Sequence, residues 1–156
     1  MNTAIGINAP HRAQVAEKLS ILLADEFVLY VKTLNAHWNV EGPDFHSKHL
    51  FFESQYKELS EIIDEVAERI RSLGHYAPGT LADYLKLTHF TEKSNEENNS
   101  LGFIHSLLGD HDELIIRMRA TVDEFQEKYK DSGSADFVTG IMETHEKMAW
   151  MLRAHL

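Results

Sequence analysis

The chain has 156 residues, of which 43% are hydrophobic and 26% are charged, and it contains no cysteine. These values are typical of a globular domain rather than a disordered or membrane chain, and they predict a single domain over residues 1–156. Without cysteine there is no disulfide framework and no thiolate site, so a bound metal must use His, Asp and Glu. The formal net charge of −10 repels nucleic acid and anionic lipid and attracts divalent cations. The first twenty residues lack a signal-peptide pattern, so we expect a cytoplasmic protein that does not contact membranes.

Apolar residues recur at helical spacing from Val15 to Trp38, which predicts a first long helix after a short tail of residues 1–11. Gly42 follows the end of this helix, and Pro43 indicates the first turn of a second helix that Gly74 stops. The residues expected to face the core are Val15, Leu19, Leu22, Leu23, Phe27, Tyr30, Val31 and Leu34, then Phe45, Phe52, Tyr56, Leu59, Ile63, Val66, Ile70 and Leu73.

A long connection follows Gly74 and holds its own short helix, which a capping box of Thr80 and Asp83 opens. A second box, Ser94 with Glu97, predicts the start of a third long helix that continues toward residue 130. The chain breaks again at Gly133 and Ser134 before a last helix, whose inner side carries Phe137, Ile141, Met148 and Leu152. The predicted fold is therefore all-α, a ferritin-like four-helix bundle with a short extra helix between helices two and three. Periodicity alone also fits other four-helix bundles.

Candidate metal ligands cluster around the junction of the first two helices and recur along the second. No histidine has a glutamate three residues before it, which excludes the Glu-x-x-His di-iron site within one chain. At about 100° per residue, and with His49 at zero, Glu53 lies near 40°, Asp64 near 60° and Glu68 near 100°. These four share one side of the second helix, and His37 points inward at the end of the first.

One chain cannot bring all of these residues together, because fifteen residues of helix separate His49 from Asp64 by about 22 Å. A metal ligand reaches only about 2 Å. If the second helices of two subunits cross antiparallel about a twofold axis, His37, His49 and Glu53 of one chain face Asp64 and Glu68 of the partner subunit. Small residues on the facing stripe, Ser60 and Ala67, allow this close approach.

The pattern of His37-Trp38-Asn39, Gly42, Phe45, His49, Glu53, Asp64, Ala67-Glu68-Arg69 and Leu73-Gly74 resembles the Dps family of mini-ferritins, over the whole chain. The resemblance implies a hollow homododecamer that oxidises Fe(II), preferentially with hydrogen peroxide rather than oxygen, and stores ferric mineral. It implies two iron ions per shared site, with His37, His49 and Glu53 as ligands from one subunit and Asp64 and Glu68 from the other. Zinc binds the same donor types. The chain departs from the family at Glu53, where aspartate is more usual.

Several other features remain open to more than one interpretation. Asp123, Glu127 and Asp131 are spaced four residues apart, which is typical of an exposed acidic face of a helix. The resemblance implies a second possible role, as the lining of a pore through which iron enters. His105, His111 and His145 have no matching partner spacing and are expected to be structural. The competing functions are a nucleoid DNA-binding protein and a zinc-binding helical interaction module. Weak or absent DNA binding is expected, because only Arg12 precedes the first helix and no basic extension follows "RAHL".

Overall fold

In a computed structural model that describes residues 3–92 and 97–156, the chain folds into five helices. They are α1 (Ala9–Asn39), α2 (Phe45–Ser72), the short α3 (Leu81–Leu87), α4 (Ser100–Glu127) and α5 (Ser132–Arg153). Helix α1 packs along α2 and α4 packs along α5, while α3 lies against α1. The predicted all-α bundle, with one extra helix in the long connection, is confirmed. In neither described range does a helix combine the length and the apolar character needed to span a bilayer.

The four long helices bury a continuous apolar core. Its largest fully buried side chains include Leu19, Leu23, Leu29, Phe52, Leu59, Ile70, Phe103, Ile104, Leu114 and Phe125. Two expected core positions are wrong, since Val31 is 38% exposed and Phe45 is 44% exposed. Both lie at the edge of their helical stripe, where one step of 100° moves a side chain from the core to the surface.

Helix boundaries differ from the sequence-based prediction where a cap was missed. Helix α1 begins at Ala9, inside the expected tail, because the Asn8 side chain accepts a hydrogen bond from the backbone N–H of His11. Helix α4 begins at Ser100, because Asn99 accepts from the N–H of Gly102. Ser94 of the predicted box lies outside the described residues. At the other boundaries, α2 starts after Pro43, α4 ends at Glu127 short of residue 130, and α5 starts at Ser132, before the predicted break.

The long connection between α2 and α4 is tied to α1 by a buried carboxylate. Asp25 accepts hydrogen bonds from the Thr88 hydroxyl and the His89 N–H, both at 2.7 Å, and its other oxygen lies 3.0 Å from His89 Nδ1. Phe90, next along the chain, is buried against the core. At the start of the connection Gly74 adopts a φ of 89°, and the Thr80 cap predicted for α3 is confirmed.

Three ionisable side chains lie inside the core, one each from α1, α4 and α5. His145 Nε2 is 2.9 Å from Glu26 Oε1, its Nδ1 is 2.9 Å from His111 Nδ1, and all three residues are fully buried. Neither Glu26 Oε2 nor His111 Nε2 has a partner within residues 3–92 and 97–156. Burial, aided by the neighbouring His145 ring, lowers the pKa of His111 well below its usual value of 6.5.

The buried row of Glu26, His145 and His111 predicts that the protein becomes less stable in mild acid. At pH values between the lowered pKa of folded His111 and about 6.5, only the unfolded chain binds the proton. The contribution of His111 to the free energy of unfolding is therefore full above pH 6.5 and decreases as the pH falls. The slope for one proton is about 1.4 kcal/mol per pH unit. Substituting Gln for His111 should flatten this dependence, as measured by the thermal midpoint at pH 7.5, 6.5 and 5.5.

The matched control replaces an exposed histidine of the same helix, His105→Gln. It should retain the wild-type dependence on pH, measured at one protein concentration because subunit association also shifts the midpoint. A His111→Gln variant whose midpoint still falls with acid as steeply as that of the wild type would show that another group is responsible.

Candidate metal centre

The junction of α1 and α2 brings two predicted ligands into direct contact. His37 Nδ1 lies 2.8 Å from the backbone oxygen of His49, and His49 Nδ1 lies 2.8 Å from the backbone oxygen of His37. The two rings stack with centroids 3.8 Å apart and planes 19° apart. Gly42 in the connecting turn adopts a φ of 130°, a conformation that L side chains rarely adopt, so the chain reverses tightly enough for this contact.

These reciprocal hydrogen bonds determine which nitrogen of each ring is free. A carbonyl oxygen only accepts, so each Nδ1 must carry the proton and donate it. In a neutral imidazole the other nitrogen, Nε2, then holds the bare lone pair that binds a metal. No hydrogen-bond partner for either Nε2 is present among the described residues. The carbonyl of His37 is one of the last four of α1, which have no partner within the helix, so His49 also caps α1.

Aromatic side chains restrain the two imidazoles from the sides. The ring of Tyr56 meets His37 edge-on, with centroids 5.1 Å apart, and Phe45 lies 5.2 Å from His49. His37 is only 8% exposed. The rings are therefore held by packing as well as by hydrogen bonds, which lowers the entropic cost of presenting both to one ion.

The third predicted ligand, Glu53, lies one helical turn after His49 and is held by a neighbour that the sequence analysis did not single out. Lys57 donates a hydrogen bond to Glu53 Oε1. That bond, and the charge of the ammonium, lower the pKa of Glu53 below its usual value. Positive charge on His37 or His49, when either ring is protonated, lowers the pKa of Glu53 in the same direction.

The other two predicted ligands lie farther along α2 and do not meet this group. Asp64 and Glu68 are exposed, and neither forms an ion pair or side-chain hydrogen bond with another described residue. Within the described ranges no three His, Asp or Glu side chains come together as a metal site. One chain therefore presents its predicted donors in two separate places, with His37, His49 and Glu53 near the junction of α1 and α2 and Asp64 and Glu68 farther along α2, and neither group alone forms a metal site.

The predicted pore residues do not form a uniform acidic face. Asp123 and Glu127 are exposed near the end of α4, but Asp131 is buried and occupied. Its carboxylate caps α5 by accepting from the N–H and the hydroxyl of Ser134, and it lies 3.5 Å from Arg69. Asp131 is thus committed to joining α5 to α2, which leaves two of the three residues available to line an opening.

Sequence reasoning missed two features of the site. The Glu53–Lys57 contact follows the i, i+4 spacing of oppositely charged residues on a helix, a signal that was readable in advance. The reciprocal bonds of His37 and His49 had no such signal, because each joins a side chain to a backbone oxygen of the other helix. The structural role expected for His111 and His145 fits their burial, whereas their link to Glu26 was not anticipated.

Comparisons with known proteins agree on one family. The family model described as a ferritin-like domain matches residues 16–156. The chain is 41% identical over 152 residues to an uncharacterized low temperature-induced protein of Nostoc sp., covering 97% of this chain and 85% of that protein. It is 35% identical over 143 residues to DNA protection during starvation protein 2 of Bacillus anthracis, covering 92% of this chain and 97% of the relative.

Solved structures extend the agreement to the fold. A crystal structure of a Dps protein from Vibrio cholerae O1, described as a member of a broad superfamily of ferritin-like diiron-carboxylate proteins, matches with a TM-score of 0.88 and 28% identity over 98% of each chain. The sequence match extends over most of the chain, and the helices follow the same architecture. The chain therefore belongs to the Dps family of ferritin-like proteins.

Proposed function

We propose that this protein oxidises Fe(II) at centres shared between two subunits and stores the ferric product, which protects the cell against oxidative damage. Membership of the ferritin-like family supports iron storage and oxidative protection in general. The observation that carries the specific proposal is the reciprocal hydrogen bonding of His37 and His49. It leaves two Nε2 lone pairs one helical turn from Glu53, and imidazole with carboxylate is a mixed donor set that suits Fe(II).

The shared centre needs a second subunit to complete it. Antiparallel crossing of two α2 helices pairs Glu53 with Asp64 of the partner subunit and His49 with Glu68 of the partner subunit, twice per dimer. The exposure of Asp64 and Glu68, and their freedom from partners among the described residues, support this arrangement. Five ligands of this kind hold two iron ions at one centre. Zn(II) is expected to compete for the same donors.

The ligand set suits a two-electron reaction. Two Fe(II) ions each give one electron to one hydrogen peroxide molecule, which takes up two protons and leaves as two water molecules, with two Fe(III) as product. Delivering both electrons together avoids release of a hydroxyl radical. The carboxylates stabilise Fe(III) as a hard ion, and the proton that each Nδ1 donates to a carbonyl keeps the imidazoles oriented throughout.

Storage requires an enclosed space and an entry route. We propose a cage of twelve subunits built from the twofold dimers, with ferric mineral inside. Asp123 and Glu127, both exposed near the end of α4, are the residues proposed to line an opening that attracts Fe(II). A net charge of −10 for each chain favours the accumulation of cations by such an assembly.

The function is tested by adding Fe(II) without oxygen to the purified assembly and then adding hydrogen peroxide. We expect one peroxide to be consumed for every two Fe(II), and the ferric product to remain with a particle far larger than a 17.9 kDa chain. The proposal would be contradicted by a monomeric protein that binds Zn(II) but oxidises Fe(II) no faster than a solution without protein. That result would favour the zinc-binding module.

Sharing of the centre is tested by complementation between two inactive variants. The first carries His37→Ala with His49→Ala, and the second carries Asp64→Ala with Glu68→Ala. Each alone loses two ligands from every centre and should oxidise Fe(II) slowly. After both are unfolded, mixed equally and refolded, about half of the dimers are mixed by random pairing. In each mixed dimer one centre has all five ligands, so about a quarter of wild-type centres should return.

Two controls accompany the mixing experiment. Native mass spectrometry establishes that the variants form mixed dimers, and each variant refolded alone establishes the background rate. If mixed dimers form from properly assembled parents and the rate stays at that background, the shared-centre arrangement is wrong.

A further prediction is that the assembly does not bind duplex DNA tightly at physiological salt. Affinity for DNA comes mainly from Lys and Arg that neutralise phosphates. Within residues 3–92 and 97–156, ten of the Lys and Arg residues form ion pairs with Asp or Glu of the same chain. Gel retardation of plasmid at about 150 mM salt, with Mg(II) and free iron chelated, should show unshifted DNA. A salt-sensitive shift at low protein concentration would support the nucleoid-binding alternative.

A further inference from the structure

Lys57 lies on the same side of α2 as the predicted ligands. With His49 at zero and about 100° per residue, Lys57 lies near 80°, between Asp64 near 60° and Glu68 near 100°. It is the only Lys or Arg in the sequence between His49 and Glu68. A cation therefore occupies a stripe that otherwise carries the donors of the metal centre.

The contact between Lys57 and Glu53 engages one carboxylate oxygen and leaves the other open. The ammonium donates to Glu53 Oε1, and no described residue donates a hydrogen bond to Oε2. The Glu53 side chain is 30% exposed and that of Lys57 is 62% exposed, so the pair lies at the surface where a second subunit would approach. Glu53 thus reaches the centre with one oxygen already bonded, which favours monodentate binding of a metal through the other oxygen.

We propose that Lys57 is a positioning residue that limits the affinity of the shared centre for metal ions, because it occupies one oxygen of Glu53 and places a positive charge beside the ligands. This inference rests on the proposed function. The predicted centre contains three carboxylates, from Glu53 and from Asp64 and Glu68 of the partner subunit, and Lys57 offsets one of their three negative charges.

The charge of Lys57 opposes bound Fe(III) more strongly than Fe(II), since Coulomb repulsion grows with the charge of the ion. A centre that feeds a mineral store must release its ferric product after each turnover. Five unopposed ligands would retain Fe(III), and the next pair of Fe(II) ions would find the centre occupied. Lys57 therefore favours turnover at the expense of tight binding.

The test measures metal affinity directly, with Co(II) as a probe that is not oxidised under anaerobic conditions. In assembled protein the variant Lys57→Met should bind Co(II) about three- to tenfold more tightly than the wild type, as expected for removing one charge in a water-like surrounding. The difference should shrink at high salt. Lys57→Arg, which keeps the charge and the hydrogen bond, should restore the wild-type affinity.

The chain offers a matched control in Lys128, which directly follows α4 and pairs with Glu124 at the same i, i+4 spacing. Lys128→Met removes an equivalent exposed ammonium at the end of a different helix and should leave Co(II) binding unchanged. In the reaction of Fe(II) with peroxide, Lys57→Met should lower KM. It should also lower kcat when Fe(II) is added repeatedly, because each centre releases its ferric product more slowly. A general loss of structure would instead raise KM.

The possible outcomes separate this inference from the proposed function. If the wild type binds Co(II), if His37→Ala with His49→Ala abolishes binding, and if Lys57→Met binds no more tightly than the wild type, the inference is wrong and the proposed function stands. If the wild type and the His37→Ala, His49→Ala variant bind Co(II) equally poorly, both are wrong. Should Lys57→Met not assemble, Lys57→Gln, which also lacks the charge, is measured in its place with the same expectations.

Discussion

The reciprocal hydrogen bonds between His37 and His49 are the interaction on which the candidate centre depends. They join the last turn of α1 to the second turn of α2, and they satisfy a carbonyl that the end of α1 would otherwise leave without a partner. The same bonds take up both Nδ1 protons and leave both Nε2 atoms free to ligate. The contact that closes the helical hairpin thus also orients the candidate ligands, so the proposed metal binding would use an arrangement of atoms that folding creates.

Burial separates this centre from the other group of histidines in the chain. Glu26, His145 and His111 bond to one another in a row inside the core, and all three are fully buried. The donors near His37 lie at the surface of α2 instead, where Glu53 is partly exposed. Similar residue types therefore serve packing in one place and form the proposed metal centre in the other, because only the second group lies at the surface.

The loops around the centre are held by contacts from the far end of the long connection. The N–H of Glu41 donates to the carbonyl of Asn98, at 2.9 Å, and the Ser100 hydroxyl donates to Asp44 at 2.6 Å. Both contacts link the turn between α1 and α2 to the start of α4. Together with Asp25, which holds the middle of the connection on α1, they make the crossover a support for the turn that positions His49.

The sequence by itself determined the helix order, most of the core positions and the identity of the candidate ligands, because helical periodicity and the spacing of His49, Glu53, Asp64 and Glu68 are local properties. It also predicted that the proposed centre needs a second subunit, since helix rise alone separates the two pairs. Only the tertiary structure decided the free nitrogen of each histidine, the commitment of Asp131 to a helix cap and the burial of Glu26 with His145. Those outcomes depend on contacts between residues far apart in the chain, whose geometry exists only once the helices have packed.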